Sequence, residues 1–194
     1  LAIALYNQII IQNNGCTTEL GTDLQSLALN GSALEFTYQR FNIARKKIKQ
    51  DDVIVIALTD FDRRWFFKNY PQFAEQDCSP TDNKKENKAI KLFRRHLDHK
   101  EIHHTYLIDF LYNLESLVDE IRAHVIILPN FADVENFFKD KKDLFPLLNI
   151  ANGKLDNIAD KSIDANLNHL SNDAHTRLAQ QIINNVRNKE SITL

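Results

Sequence analysis

The sequence predicts an α/β protein, a parallel doubly wound sheet between layers of helix, and three observations carry that prediction. Val53 to Leu58 (VIVIAL) and Val125 to Leu128 (VIIL) are unbroken apolar runs of strand length, as expected of strands covered on both faces. Longer stretches with apolar residues at helical spacing lie between and after them. The resulting order of strand, helix, strand, helices, strand, helix implies right-handed crossovers and parallel strands.

The elements follow in order. Gln8 to Gln12 (QIIIQ) reads as a first buried strand running into the turn signal Asn13-Asn14-Gly15. Ala33 to Lys49 is helical, with an apolar stripe at Leu34, Phe36, Phe41, Ile43 and Ile48. Its basic end at Arg45, Lys46 and Lys47 suits the helix dipole. Asp51-Asp52 interrupts the pattern before VIVIAL. Residues 70–83, with two prolines and Cys78, read as a loop, and helices are expected at about 85–98 and 106–123. In the second of these, Leu107, Phe110, Leu111, Leu114, Leu117, Val118 and Ile121 recur at helical spacing. VIIL is closed by Pro129-Asn130, residues 131–161 read as irregular and loop-rich, and a last helix spans about 172–187. A fourth strand is expected near Ser26 to Leu29 to complete the sheet.

Composition narrows the function classes. A chain of 194 residues fits one domain, 1–194, with a real core, and 43% hydrophobic with 26% charged residues argues against wholesale disorder. A net charge of −2 gives no general attraction to nucleic acid or to an anionic membrane. No apolar run approaches the roughly 20 residues that span a bilayer. Two cysteines, Cys16 and Cys78, make no disulfide framework, and no basic–apolar–small stretch opens the chain, so the cytoplasm is the expected location. No glycine-rich phosphate loop is present. No cofactor and no metal are expected. His96, His99, His103 and His104 cluster in sequence, but no cysteine or carboxylate set completes a site, and a solvated helix end is the simpler reading.

In an open α/β sheet, ligands sit beyond the carboxyl ends of the strands. The segments there are Asn14-Gly15-Cys16-Thr17-Thr18, then Thr59-Asp60-Phe61-Asp62-Arg63-Arg64, then Pro129-Asn130. The stretch Asp164 to Leu178 (DANLNHLSNDAHTRL) leads into the last helix. Each has a plain structural reading: Thr17 or Thr18 as a helix N-cap, Ser171 or Asn172 as the N-cap of the last helix, His175 as a packed residue one turn in. Arg63 and Arg64 suit a solvated loop, or, with Asn130, contact with a substrate.

Gly15-Cys16-Thr17 after the first strand, Asn30-Gly31-Ser32 before the next helix, and the closing Asp/His stretch resemble the blocks of the SGNH/GDSL hydrolases, in family order. The resemblance implies a three-layer α/β/α, flavodoxin-like domain that hydrolyses a small-molecule or carbohydrate ester. It makes Thr17 the nucleophile, His169 the general base (His175 the runner-up) and Asp164 the acid that orients the base. The N–H of Gly31 is then an oxyanion donor, with Thr59 where the family has an asparagine. A hydroxyl needs an imidazole to take its proton, and the imidazole needs an acid to fix its tautomer. Three positions depart from the pattern: threonine replaces serine at 17, Thr59 replaces asparagine, and the usual spacing of the acid falls on Asn166. The alternative implied by those departures is a non-catalytic SGNH-like domain that binds a glycan or a protein.

Overall fold

The computed structural model describes residues 33–61, 84–159 and 170–194. Within them the chain is mixed α/β, with five α-helices and a three-stranded sheet of order β1-β2-β3. The elements are α1 (Leu34–Ala44), β1 (Val53–Leu58), α2 (Lys84–His96), α3 (Lys100–Ile121), β2 (His124–Pro129), α4 (Ala132–Lys141), β3 (Asn149–Ile150) and α5 (Asn172–Asn188). The expected strand at Gln8 to Gln12 and the fourth near Ser26 to Leu29 lie outside the described residues.

VIVIAL and VIIL are neighbouring parallel strands, as their apolar runs require. Val53 pairs with His124 and Leu58 with Pro129, and Ile127 pairs in turn with Ile150 of β3. Side chains alternate across a strand, and the two faces of this sheet enter separate cores. Ile56, Leu58, Val125 and Ile127 pack with Leu34 and Phe41 of α1, with Leu107, Phe110, Leu111, Leu114 and Leu117 of α3, and with Val134, Phe137 and Phe138 of α4. Val55, Ala57, Ile126 and Leu128 pack with Leu178, Ala179, Ile182 and Ile183 of α5. Both faces are therefore dry, which explains the absence of polar alternation in either strand.

The helices follow their apolar stripes, with adjusted ends. The stripe of α3 begins a turn and a half before the expected start, because His103 is buried beside Leu107 and extends the helix back to Lys100. The α1 stretch stops at Ala44 and tightens into a 3-10 turn at Arg45–Lys47, where Arg45 pairs with Glu120 of α3 at 3.3 Å. Residues 131–161, expected to be irregular, contain α4 and β3. Val134, Phe137 and Phe138 give α4 a one-sided stripe with the i, i+3, i+4 spacing of a short amphipathic helix. β3 is two residues long and is defined by pairing with β2 rather than by a pattern of its own.

α5 runs antiparallel to the strands, which decides where its first turn lies. Residues 190–194 return alongside it: the Asn185 side chain donates to the Glu190 carbonyl at 2.7 Å, and the Thr193 N–H to Gln181 Oε1 at 2.7 Å. The same segment forms a parallel bridge with the continuation of β3, the Asn152 N–H donating to the Ile192 carbonyl and the Leu194 N–H to the Asn152 carbonyl, both 2.8 Å. A segment parallel to the sheet and antiparallel to α5 puts the start of α5 at the carboxyl edge of the strands.

Candidate functional site at the carboxyl edge

Two loops leave that edge, and one carboxylate joins them. Asp133, in the first turn of α4, accepts the Phe61 N–H at 2.9 Å through Oδ2 and the Val134 N–H at 2.8 Å through Oδ1. The segment after β1 is thereby fixed to the segment after β2. The ladder also continues one residue past the strands, since the Asn130 N–H donates to the Leu58 carbonyl at 3.2 Å. Thr59 and Asn130 thus stand side by side at adjoining strand ends.

By the alternation of the strands, Thr59 continues the row of Val55 and Ala57, and Asn130 that of Ile126 and Leu128. Both rows face α5. On α5 the sheet-facing stripe of Leu178, Ala179 and Ile182 begins one turn earlier with His175. Thr59 is 5% exposed, Asn130 1% and His175 6%. Thr59 Oγ1, Asn130 Nδ2 and His175 Nδ1 are buried without a hydrogen-bond partner among the described residues. Burial lowers the His175 pKa from its ordinary 6.5, so its imidazole is uncharged at neutral pH. Ser171 caps α5 by accepting the Ala174 N–H at 3.2 Å, one of the two N-cap assignments the sequence offers.

On the other side of the sheet the edge is aromatic. The His104 ring meets Phe61 at 4.9 Å and Phe137 at 5.3 Å between centroids. Its pKa is lowered by burial and by the nearby Lys100 and Lys141. His103 pairs with Asp98 at 2.5 Å, joining the end of α2 to the start of α3. Two histidines of the sequence cluster thus go to separate tasks, His104 to an aromatic stack and His103 to a hydrogen bond with Asp98. Among the described residues no group of three or more His, Cys, Asp or Glu could hold a metal ion, and no helix is long and apolar enough to cross a membrane.

Of the residues singled out from the sequence, Thr59 and Asn130 are brought together at this edge. Thr17, Gly31, Arg63, Arg64, Asp164 and His169 lie outside the described residues. His175, a packed residue or a second-choice base by sequence, lies in the first turn of α5 at the same edge of the sheet. Its signal was present: it sits one turn ahead of Leu178 and Ala179 on the apolar stripe, where a polar side chain needs a reason. No protein-family model, curated protein or solved structure matches this chain.

Proposed function

We propose that the chain is an SGNH/GDSL-like hydrolase of a small-molecule or carbohydrate ester, acting at the carboxyl edge of its sheet. One observation carries the reading: Thr59 and Asn130 stand together at adjoining strand ends with side-chain polar atoms that no described residue uses. This is the position where open α/β sheets bind ligands. Within this proposal the three-layer, doubly wound, flavodoxin-like arrangement extends over the whole domain, and the protein works in the cytoplasm. Thr17 attacks the ester carbonyl while His169 takes its proton and passes it to the departing alcohol as the ester bond breaks. Water activated by His169 then hydrolyses the acyl-threonine, and Asp164 holds the imidazole in the right tautomer. The Gly31 N–H and Thr59 stabilise the oxyanion, since donors aimed at developing charge supply much of such a rate. Arg63, Arg64 and Asn130 contact the substrate.

The test is hydrolysis of a panel of chromogenic acyl esters by the purified chain and by His169→Ala. Loss of the base from a working triad costs about 10⁴-fold in turnover. Equal hydrolysis by both proteins sinks the mechanism. A second reading, a non-catalytic domain of the same type that binds a glycan or a protein, is favoured by threonine at 17, a hindered secondary hydroxyl in place of serine. Absence of turnover in both proteins, with ligand binding at the edge intact, selects it.

A further inference from the structure

Five polar residues are buried among the described residues: Thr59, His103, Asn130, His175 and Asn185. Two have their partners, His103 in Asp98 and Asn185 in the Glu190 carbonyl. The other three each carry an unused polar atom. Thr59 and Asn130 follow the paired ends of β1 and β2, and His175 lies in the first turn of α5, which the antiparallel course of that helix brings to the same edge of the sheet. A buried polar group left unsatisfied costs more than an ordinary hydrogen bond returns. One such group can be a local packing compromise. Three from separate segments, gathered at the edge where ligands enter such sheets, describe a binding corner.

Its chemistry selects the ligand. An amide, a hydroxyl and an imidazole are all uncharged. Two of the segments also carry a carboxylate close by in sequence, Asp60 next to Thr59 and Asp173 two before His175. Asp173 lies in the first turn of α5, at the positive end of the helix dipole that an anion would otherwise use. The corner thus supplies neutral donors and acceptors rather than a fixed positive charge. We infer that Thr59, Asn130 and His175 form a subsite for an uncharged, hydroxyl-bearing ligand of the carbohydrate class. The inference deepens the proposed hydrolase by naming the part of the substrate held beside the reacting ester, and it rests on that reading only for what is cleaved.

The experiment titrates the ¹⁵N-labelled full chain with methyl glycosides and N-acetylhexosamines, and separately with acetate and inorganic phosphate. The Asn130 side-chain NH₂ resonances and the His175 ring are the reporters. At least one sugar shifts both saturably, and neither anion does. Thr59→Val weakens that sugar about tenfold, the value of one hydrogen bond to a neutral partner, and leaves the melting temperature unchanged or higher. His175→Phe weakens it likewise and serves if Thr59→Val does not fold. Saturable shifts from acetate or phosphate alone overturn the proposal. So does silence from every sugar while Asn130 cross-relaxes only with a buried water. Sugar binding without ester turnover removes the hydrolase and keeps the subsite. Turnover that is indifferent to His175→Phe, with no sugar binding, does the reverse.

Discussion

The two faces of the sheet are built from different materials. Against α1, α3 and α4 the core holds Phe41, Phe61, Phe110, Phe137, Phe138 and Phe145. Ring contacts link them to one another and to Tyr38 and Tyr112, with Tyr38–Phe110 at 5.0 Å, Phe41–Phe110 at 5.5 Å and Phe137–Phe138 at 5.3 Å. Against α5 the described core is wholly aliphatic, with Ala57, Ala151 and Ala179 among its members, and it runs at its edge into Thr59, Asn130 and His175. Aromatic side chains bury the largest areas and add favourable ring geometry. The aromatic face of the described core should therefore carry the larger share of the stability, while the aliphatic face runs at its edge into Thr59, Asn130 and His175, whose side chains each hold an unused polar atom.

The sharpest way to break this comparison is to remove one large side chain from each face. Phe110 is fully buried between Tyr38 and Phe41, and Phe110→Ala should cost about 3–5 kcal/mol. Leu178→Ala removes an equally buried side chain from the aliphatic face. Its small neighbours let the site collapse, so its cost should fall near the lower end of the usual range, about 2–3 kcal/mol. Urea unfolding of both variants decides the point. An equal or greater loss from Leu178→Ala contradicts the division of labour.

A smaller effect is expected where the aliphatic face is closed by the returning chain. Gly153 has φ +90°, and a Cβ there would come within 2.6 Å of the Leu194 carbonyl oxygen. Gly153→Ala must both adopt a strained backbone and displace the segment that pairs with Asn152, a loss of about 1–3 kcal/mol. Hydrogen exchange should localise it, with the Leu194 N–H losing protection and the amides of α3 keeping theirs.

These contrasts also show what the sequence could convey. VIVIAL and VIIL were legible as strands, because burial on both faces writes itself as an unbroken apolar run. The α3 stripe from Leu107 to Leu117 was legible for the corresponding helical reason. α4 was not: its stripe is only Val134, Phe137 and Phe138, and it is bounded by the basic run Lys139 to Lys142 with Pro146 shortly after. β3 could not be read at all, since a two-residue strand is created by its partner. At the site, Thr59 and Asn130 followed from their place after the strands. That they share a corner with His175 depends on the direction of α5, which is set by side-chain bonds from Gln181 and Asn185 to the returning segment. That their polar atoms are unused is a property of the packed whole.

Acidity separates the faces more gently. His175 on the aliphatic side and His104 in the aromatic stack both have pKa values below 6.5, each first because of burial. As pH falls below 6.5 the unfolded chain takes protons that these folded imidazoles refuse. Stability is therefore complete above that value and declines below it, towards the lowered folded values. His175 is the more buried of the two, so His175→Gln should flatten the acid limb of the stability–pH curve more than His104→Gln does. Denaturation midpoints measured at intervals on either side of pH 6.5 test this, and a limb unchanged by His175→Gln would show that its ring already accepts a proton in the folded state.

The smallest effect asks whether the two faces unfold as one body. α3, on the aromatic face, ends at Arg122, and α5, on the aliphatic face, ends at Lys189; both are exposed and left-handed, with φ 57°. Each donates its N–H to the carbonyl four residues back, Val118 at 2.8 Å and Asn185 at 2.9 Å, so the cap geometry is the same at both ends. A side chain in this conformation is disfavoured by about 1 kcal/mol, and glycine at this position relieves the strain while leaving the backbone bond in place. Arg122→Gly also gives up the unfolded-state advantage of a side chain, which makes the net gain a few tenths of a kcal/mol up to about 1, and the same holds for Lys189→Gly. The caps close helices on opposite sides of the sheet and share no partner, so their gains should add in the double variant. Additive gains with one coincident transition, followed by near-ultraviolet and far-ultraviolet circular dichroism, mean that the aromatic and aliphatic cores melt together. If Lys189→Gly instead delays only part of the circular dichroism change, α5 and the corner it closes form a separate, weaker unit, and the stability of the aromatic face does not protect the site.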